Sequence, residues 1–408
     1  MESRQHRDGS PRSRGDGDED MKTIQNVDKN VSSSMQNDTS NSNSNSNENG
    51  KEYEFTFDCS VAKVGGQSSS FIEPDLSTMS ASSIGEASSS SSNINWNDDR
   101  NDSASLSDSV QTFPKEFGRT YHAYRAGSYA FPNDTPEQER LELQGECIKM
   151  LMGNSFFFAP LSHSRPPRAI LDVATGTGDW AIHMGDMFPD SLVIGTDLSP
   201  IQPAEVPPNV HFYVEDSSDQ WDFTERFDYI HSRATAGCWS DFETEVVEQA
   251  FNALEPGGWF ESQEVDCNVC SDDNTLDPDG PVVAWCNDLI AASVKLNRPA
   301  IVGAHLKEMF ERVGFVDVQQ HRFKMPINGW PRDPHLKQIG YMWGTNVLEG
   351  LAAFSYQLFN KAFERTSAQI EVSLIDVRRD LVNPRIHCYM PAYIVFGRKP
   401  YPHEVRAT

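Results

Sequence analysis

The sequence predicts an α/β fold: a mostly parallel sheet with helices on both faces, preceded by a long polar tail. Three observations predict it. Short apolar runs alternate with helical patterns between residues 169 and 265, the order that gives parallel strands joined by crossover helices. The first run, Ala169–Val173 (AILDV), ends in a turn with Gly176 and Gly178 and then opens a helix. Composition also changes near residue 113. Residues 1–112 hold the low-complexity stretches NDTSNSNSNSNENG (37–50) and SASSIGEASSSSSN (80–93), which cannot bury enough apolar surface to offset chain entropy. From 113 to 400 aliphatic and aromatic residues stay dense, enough for one large domain.

The elements follow in chain order. Inside the tail, KEYEFTFDCSVAKV (51–64) alternates apolar and polar residues. It reads as a short strand, either transient or a docking segment that adds to a partner's sheet. Thr135–Met152 predicts a helix, with Pro136 in its first turn and Leu141, Ile148 and Leu151 on one side. A strand at 169–173 precedes a helix over Asp179–Phe188, where Trp180, Met184 and Met187 fall near helical spacing. Leu192–Thr196, Val210–Val214 and Phe227–His231 read as strands two to four. Thr244–Leu254 is helical and Pro256-Gly257-Gly258 stops it. Trp259–Val265 is the fifth strand. Helices near 281–296 and 304–313, a strand at Val316–Phe323, a long helical stretch around 335–380 and a last strand at Ala392–Phe396 complete the pattern. The chain carries no internal repeat.

Ile170-Leu-Asp-Val-Ala-Thr-Gly-Thr-Gly-Asp179 is the most informative segment. Glycines at a strand-to-helix turn let the backbone approach a ligand and take positive φ, and the helix start offers unpaired N–H groups. The third glycine of a dinucleotide fingerprint is missing. Asp197 closes the next strand, where a carboxylate accepts ribose hydroxyls. Asp216 closes the third strand similarly. Carboxylates in a row suit a ligand with hydroxyls, an amine and a cationic centre, and they repel a pyrophosphate. That favours S-adenosylmethionine over NAD.

LDVATGTGDWAI resembles motif I of the class I S-adenosylmethionine-dependent methyltransferases. VIGTDLSPIQP, VPPNVHFYVED, FDYIHSR and LEPGGWFESQEVD look like the later motifs of one fungal branch, the LaeA-like methyltransferases named for the velvet-complex regulator of secondary metabolism. GRTYHAYRAGSYAFPNDTPEQERLELQ (118–144) is similar to that group's signature ahead of the fold, so the resemblance spans about residues 117–400. It implies a Rossmann-like fold with a seven-stranded, mostly parallel sheet, an N-terminal helical arm and an inserted helical acceptor-site region at about 325–380. It implies S-adenosyl-L-methionine as cofactor. Asp172, Ala174, Gly176 and Gly178 would line its methionine and ribose side, and Asp197 would hold the ribose hydroxyls. Leu198 would flank the adenine, Asp216 with Ser217 would face the adenine amine, and His231 and Arg233 would sit near the methyl group. Many relatives have glycine in place of Ala174. A methyl is tolerated there at negative φ, so binding is expected to be retained but weakened. The resemblance further implies a nuclear regulator of secondary metabolism and development that acts with velvet-domain proteins. The alternatives are a cytoplasmic O- or N-methyltransferase that tailors a small molecule, and a scaffold that binds the cofactor without turnover.

Methyl transfer from a sulfonium depends on alignment, so positioning supplies much of the rate and a base is not obligatory. His231 is the candidate base, with the strand-end residues Glu261, Gln263 and Glu264 behind it; each also reads as structural. Tyr121, His122, Tyr124, Arg125 and Tyr129 form an aromatic and basic cluster ahead of the fold, in which Tyr121 and Tyr129 are the ligand candidates. Trp330, Tyr341, Trp343 and Phe354 are candidate acceptor-pocket walls, against plain core packing. Trp180 reads as core. Cys267-x-x-Cys270 has no second paired spacing, so free thiols are expected and no metal. The chain has 60 acidic and 34 basic residues, and 19 and 9 of these lie in residues 1–110. That balance argues against direct nucleic-acid binding and against anionic membranes. No apolar run is long enough for a transmembrane helix, and the N-terminus lacks the apolar region of a secretory signal. Seven scattered cysteines read as reduced thiols of an intracellular protein.

Overall fold

The structure, a computed structural model, describes Val110 and residues 112–405. The tail to residue 109, including the strand expected at 51–64, lies outside the described residues. A hairpin of β1 (Lys115–Glu116) and β2 (Arg119–Thr120) leads through an irregular arm to α1 (Thr135–Leu151). Asp134 caps α1: its carboxylate accepts the Glu137 N–H at 3.3 Å and the Arg119 guanidinium twice at 2.6 Å. One side chain therefore starts the helix and ties the hairpin to it.

Strands and helices then alternate. They are β3 (Ala169–Val173), α2 (Asp179–Met187), β4 (Leu192–Asp197), β5 (Val210–Val214) and β6 (Phe227–Arg233). A π-helical turn (Glu243–Val247) runs into α3 (Glu248–Ala253), then β7 (Leu254–Val265), β8 (Cys270–Ser271) and α4 (Pro281–Lys295). Next come α5 (Leu306–Val313), β9 (Val316–Pro326), α6 (Pro334–Phe363), α7 (Ser367–Leu381) and β10 (Cys388–Arg398). Seven strands lie in the order β5-β4-β3-β6-β7-β10-β9. The first five are parallel, and β10 runs antiparallel to both β7 and β9. This is the Rossmann-like class I arrangement. β8, which the sequence pattern does not mark, adds a two-residue strand at the start of β10.

β3 is buried at all five positions, because helices cover both faces; hence its unbroken apolar run. On one face α2 packs Trp180 and Met184 over Ile170 and Tyr229. An added Cβ at Gly185 would meet Val210 at 2.3 Å, so glycine lets α2 approach β5. On the other face Val246, Val247 and Phe310 cover Leu171, Ile230 and Phe260. A third cluster joins α1, α4, α6 and α7 through Ile148, Trp285, Leu289, Val347 and Leu374, with Met390 of β10.

Two local expectations differ. The stretch at 335–380 is two helices, because Glu364 takes a left-handed φ of 58° and Thr366 starts α7 with a capping box to Gln369. Pro256-Gly257-Gly258 follows the helix as expected but already lies within β7, which starts at Leu254 and not at Trp259. The helix ends at Ala253, Gly257 has φ 89°, and pairing with β6 slips register between Phe227 and Tyr229.

Candidate functional site

The carboxyl ends of β3, β4 and β5 open on one pocket of about 1150 Å³. Its floor is the loop after β3. Ala174, Gly176 and Gly178 all have positive φ, at 54°, 60° and 82°. The negative φ that would make Ala174 harmless is therefore not what the chain adopts. A Cβ on Gly176 would meet only Leu141, at 3.8 Å, so the glycine leaves its backbone open to the pocket. Gly178 is different: a Cβ there would strike the Phe212 ring at 2.4 Å, so this glycine serves packing at the start of α2.

Asp197 holds that loop. Its carboxylate accepts the Gly176 N–H at 2.9 Å and the Ser199 N–H at 2.8 Å. Burial pushes it up to about 6, against the backbone donors that stabilise its charge. Each carboxylate oxygen keeps a lone pair for a hydroxyl. Asp216 lines the pocket beyond β5 and accepts the Ser218 N–H at 3.0 Å. Ser217 accepts the Trp239 indole N–H at 3.1 Å. Leu198, Ser217 and Trp239 line the same end. Sequence reasoning missed Trp239, which lies in the loop after β6 with no strand or glycine motif to mark it.

Asp172 lines the pocket but is already engaged. It accepts the Thr175 hydroxyl at 2.5 Å and pairs with His231 Nδ1 at 2.8 Å. The His231 ring is 0 % exposed and stacks on Trp180, with centroids 3.7 Å apart. Burial lowers its pKa despite Asp172, so the ring is neutral at pH 7. Its Nε2 is buried without a hydrogen bond among the described residues. His231 nonetheless lines the pocket, where it braces Asp172 through Nδ1 and rests against the Trp180 ring. Trp180 is core, as expected, and its edge reaches the pocket.

Arg233 lines this pocket, and its guanidinium packs where a Cβ on Gly145 would sit, 2.8 Å away. It makes no hydrogen bond or ion pair with any of the described residues. Burial lowers its pKa against the pull of Asp172, Asp179 and Glu146. A desolvated, unpartnered cation in a cavity suits an anionic ligand group.

The arm ahead of α1 forms the pocket's rim. Ser128, Tyr129, Phe131 and Asn133 line it. Arg125 pairs with Asp216 at 3.5 Å and with Asp219, and Asn133 donates to the Ser199 hydroxyl at 3.3 Å. His122 braces the arm: Nδ1 lies 2.8 Å from the Tyr124 carbonyl oxygen, and Nε2 lies 3.1 Å from the Tyr129 carbonyl oxygen and 3.2 Å from the Tyr129 N–H nitrogen. Tyr121 does not reach the pocket. It is buried under the arm, where burial pushes its hydroxyl up to about 12.

A second cavity of about 860 Å³ adjoins the first, sharing Tyr129, Phe131, Leu141, Gln144 and Ala234. Trp343 and Phe354 line it. The other two wall candidates do not. Tyr341 is 61 % exposed on the outer side of α6. Trp330 stacks on His387 and donates its indole N–H to the Cys388 carbonyl at 2.9 Å. Helical spacing put four aromatics in one stretch but could not say which side faces the sheet.

The acids of β7 clamp loops. Glu261 accepts the Phe158 and Ala159 N–H groups at 2.8 and 2.7 Å. Glu264 accepts the Thr235 and Ala236 N–H groups and the Thr235 hydroxyl, at 2.9, 3.0 and 2.6 Å. Asp266, just beyond, takes three N–H groups from 302–304. Gln263 donates to Glu261 and to the Phe156 carbonyl. As candidate bases Glu261, Gln263 and Glu264 are therefore spent on structure. Cys267 and Cys270 are free thiols, and Cys267 lines the second cavity. No group of metal-ligating side chains occurs among the described residues.

A profile described as a methyltransferase domain matches residues 153–320. Methyltransferase pytC of Aspergillus terreus is 39% identical over 300 residues, 73% of this chain and 91% of that protein. The secondary metabolism regulator LAE1 of Cochliobolus heterostrophus is 34% identical over 292 residues, 70% and 94% of the two chains. The protein-methionine methyltransferase laeA of Emericella nidulans is 31% identical over 317 residues, 75% and 82% of the two.

Proposed function

The chain belongs to the LaeA-like methyltransferases, and from that premise we propose that it takes its methyl group from S-adenosylmethionine held where β3, β4 and β5 end. The observation that carries this reading is the Asp197 carboxylate closing on the Gly176 N–H beside an open glycine floor. Asp197 would hold the ribose hydroxyls. Asp216, Leu198 and Trp239 would enclose the adenine, and Arg233 would pair with the methionine carboxylate. Bound there, the cofactor supplies a methyl whose bond to sulfur breaks as the bond to the acceptor forms, leaving a neutral thioether. This chain's residues orient the two partners and exclude water. The test is calorimetric titration of S-adenosylmethionine into the full chain and into Gly176→Asp, which puts a carboxylate on the open floor. Micromolar binding by the first, weakened at least about 100-fold in the second, is expected. Equal affinities would remove the pocket from consideration.

The role that goes with this activity is regulation of secondary metabolism and development, in the nucleus and with velvet-domain proteins. The regulator name of the Cochliobolus heterostrophus relative and the resemblance over 117–400 support it. Co-purification of the full chain with a velvet-domain protein tests the partnership. A second reading, tailoring of a small molecule, is favoured by the aromatic-lined cavity beside the cofactor pocket.

A further inference from the structure

The walls of the second cavity are mostly apolar and include Trp285, Leu289, Val347, Phe354 and Leu358. Its polar edge is organised by one buried guanidinium. Arg140 is 3 % exposed, pairs with the buried Glu137 at 2.7 Å, and lies 4.8 Å from the Phe354 ring centre. Its Nη1 donates to the side-chain oxygens of Gln144 and Asn346, each at 2.8 Å. Arg140 has no acceptor atom, so it fixes which way both amides point. With each oxygen turned to Arg140, the NH₂ groups are the donors these side chains offer the cavity, and neither has a hydrogen-bond partner among the described residues. Trp343, on the same wall, has a buried indole N–H that is likewise unpartnered among them.

The acceptors on that wall are already used. Glu264 takes three donors from Thr235 and Ala236. The Cys267 thiol is pushed up to about 12 by burial, so it is not a thiolate. The Tyr129 hydroxyl gives or takes either role. The cavity therefore presents donors set in an apolar, aromatic slot.

We propose that this cavity is the methyl-acceptor site and that it selects a small, ring-containing, apolar molecule through a hydrogen-bond-accepting carbonyl or enolate oxygen, read by the Asn346 and Gln144 amides. The proposal rests on the methyl-transfer reading above. A buried amide donor discriminates strongly, because a ligand without the matching oxygen leaves it unpaired. An apolar ligand of the same shape gains only the burial.

The test uses the full chain with S-adenosylhomocysteine present, and two probes of like shape: 1-tetralone, with a carbonyl, and tetralin, without one. Wild type is expected to bind tetralone at least about 10-fold more tightly than tetralin. Asn346→Asp keeps an oxygen for Arg140 and replaces the donor with an acceptor. It should abolish that preference while leaving tetralin and S-adenosylhomocysteine affinities within about 2-fold. Should Asn346→Asp fail to fold, Gln144→Glu provides the same exchange, read by the ratio of tetralone to tetralin affinity alone because Gln144 also lines the first pocket. A preference that survives in the folded variant, equal binding of both probes by wild type, or binding of neither, overturns the proposal. So does binding of N-acetylmethionine methylamide in place of tetralone, which would assign the cavity to a protein methionine. If S-adenosylhomocysteine itself does not bind, the methyl-transfer reading fails, and the tetralone titration of the cofactor-free chain still decides the donor code.

Discussion

Ala174 and Ala234 both hold left-handed backbone, with φ of 54° and 53°, just past the ends of β3 and β6, and both line the cofactor pocket. An L-residue in that conformation costs about 1–2 kcal/mol, and strain of this kind gathers where a ligand needs the backbone shaped in advance. Glycine removes the steric cost but returns up to about 1 kcal/mol as unfolded-chain entropy. Ala174→Gly should therefore raise the urea midpoint, by up to about 1 kcal/mol in stability, without weakening cofactor affinity. A loss of affinity would show that the Ala174 methyl itself touches the ligand. Arg233 makes the complementary prediction. If it holds the methionine carboxylate, Arg233→Met should weaken S-adenosylmethionine by about 10- to 100-fold. Affinity for 5′-methylthioadenosine, which has no carboxylate, should stay unchanged. Equal losses for both ligands would point to general damage to the pocket. His231 shows what residue type alone cannot decide. A strand-end histidine next to a cofactor motif reads as a base, but stacking on Trp180 and pairing with Asp172 make it a support.

At the scale of elements, the arm is held to the domain by packing, with Tyr121 buried and Phe131 set against Phe354, and also by polar contacts. Arg125 reaches Asp216 and Asp219, and it is half exposed. Removing it should loosen the rim of the pocket and leave the sheet intact. Arg125→Ala is expected to speed cofactor dissociation a few-fold at low salt in stopped-flow displacement. The difference should vanish near 1 M salt, where surface pairs are screened within about 3 Å. A salt-independent difference would mean that the arm shapes the pocket by packing. The α2 start is the opposite case, because nothing there can give. Gly178→Ala adds a Cβ at φ 82° and 2.4 Å from Phe212. Steric strain plus overpacking should cost about 2–4 kcal/mol in urea unfolding. A cost below about 1 kcal/mol would show that Phe212 swings aside. The motif reading named Gly178 as a cofactor contact; the Phe212 ring behind it was not legible, since β5 sits far along the chain.

For the whole molecule, the legible part is what repeats locally. The strand cores of β3 to β6 were read within one or two residues, because apolar runs end at glycines or acids. The pocket floor followed from the same motif. What escaped were contacts between distant segments: Trp239 on Ser217, the Arg140 network to Asn346, and the β7 acids that clamp loops. Those acids give the molecule a collective property. Burial pushes Glu261 and Glu264 up to about 7, from 4.5, against the donors that hold their charge. The native state then keeps protons that the unfolded chain has already released at the same pH. Stability must fall as pH rises from 4.5 through 7, and the full penalty stands above 7. His231 acts in reverse below about 6.5, since burial lowers its pKa and the unfolded chain takes up its proton first. The two glutamates therefore dominate the interval from pH 8 to 6.5. Unfolding in urea should show a gain of about 1–2 kcal/mol on lowering the pH across it. Glu264→Gln, which cannot titrate, should remove about half of that gain, whatever it does to stability at either pH. A flat or rising profile with pH in the wild-type chain would mean that the clamped carboxylates stay charged, held by their backbone donors more strongly than burial opposes them.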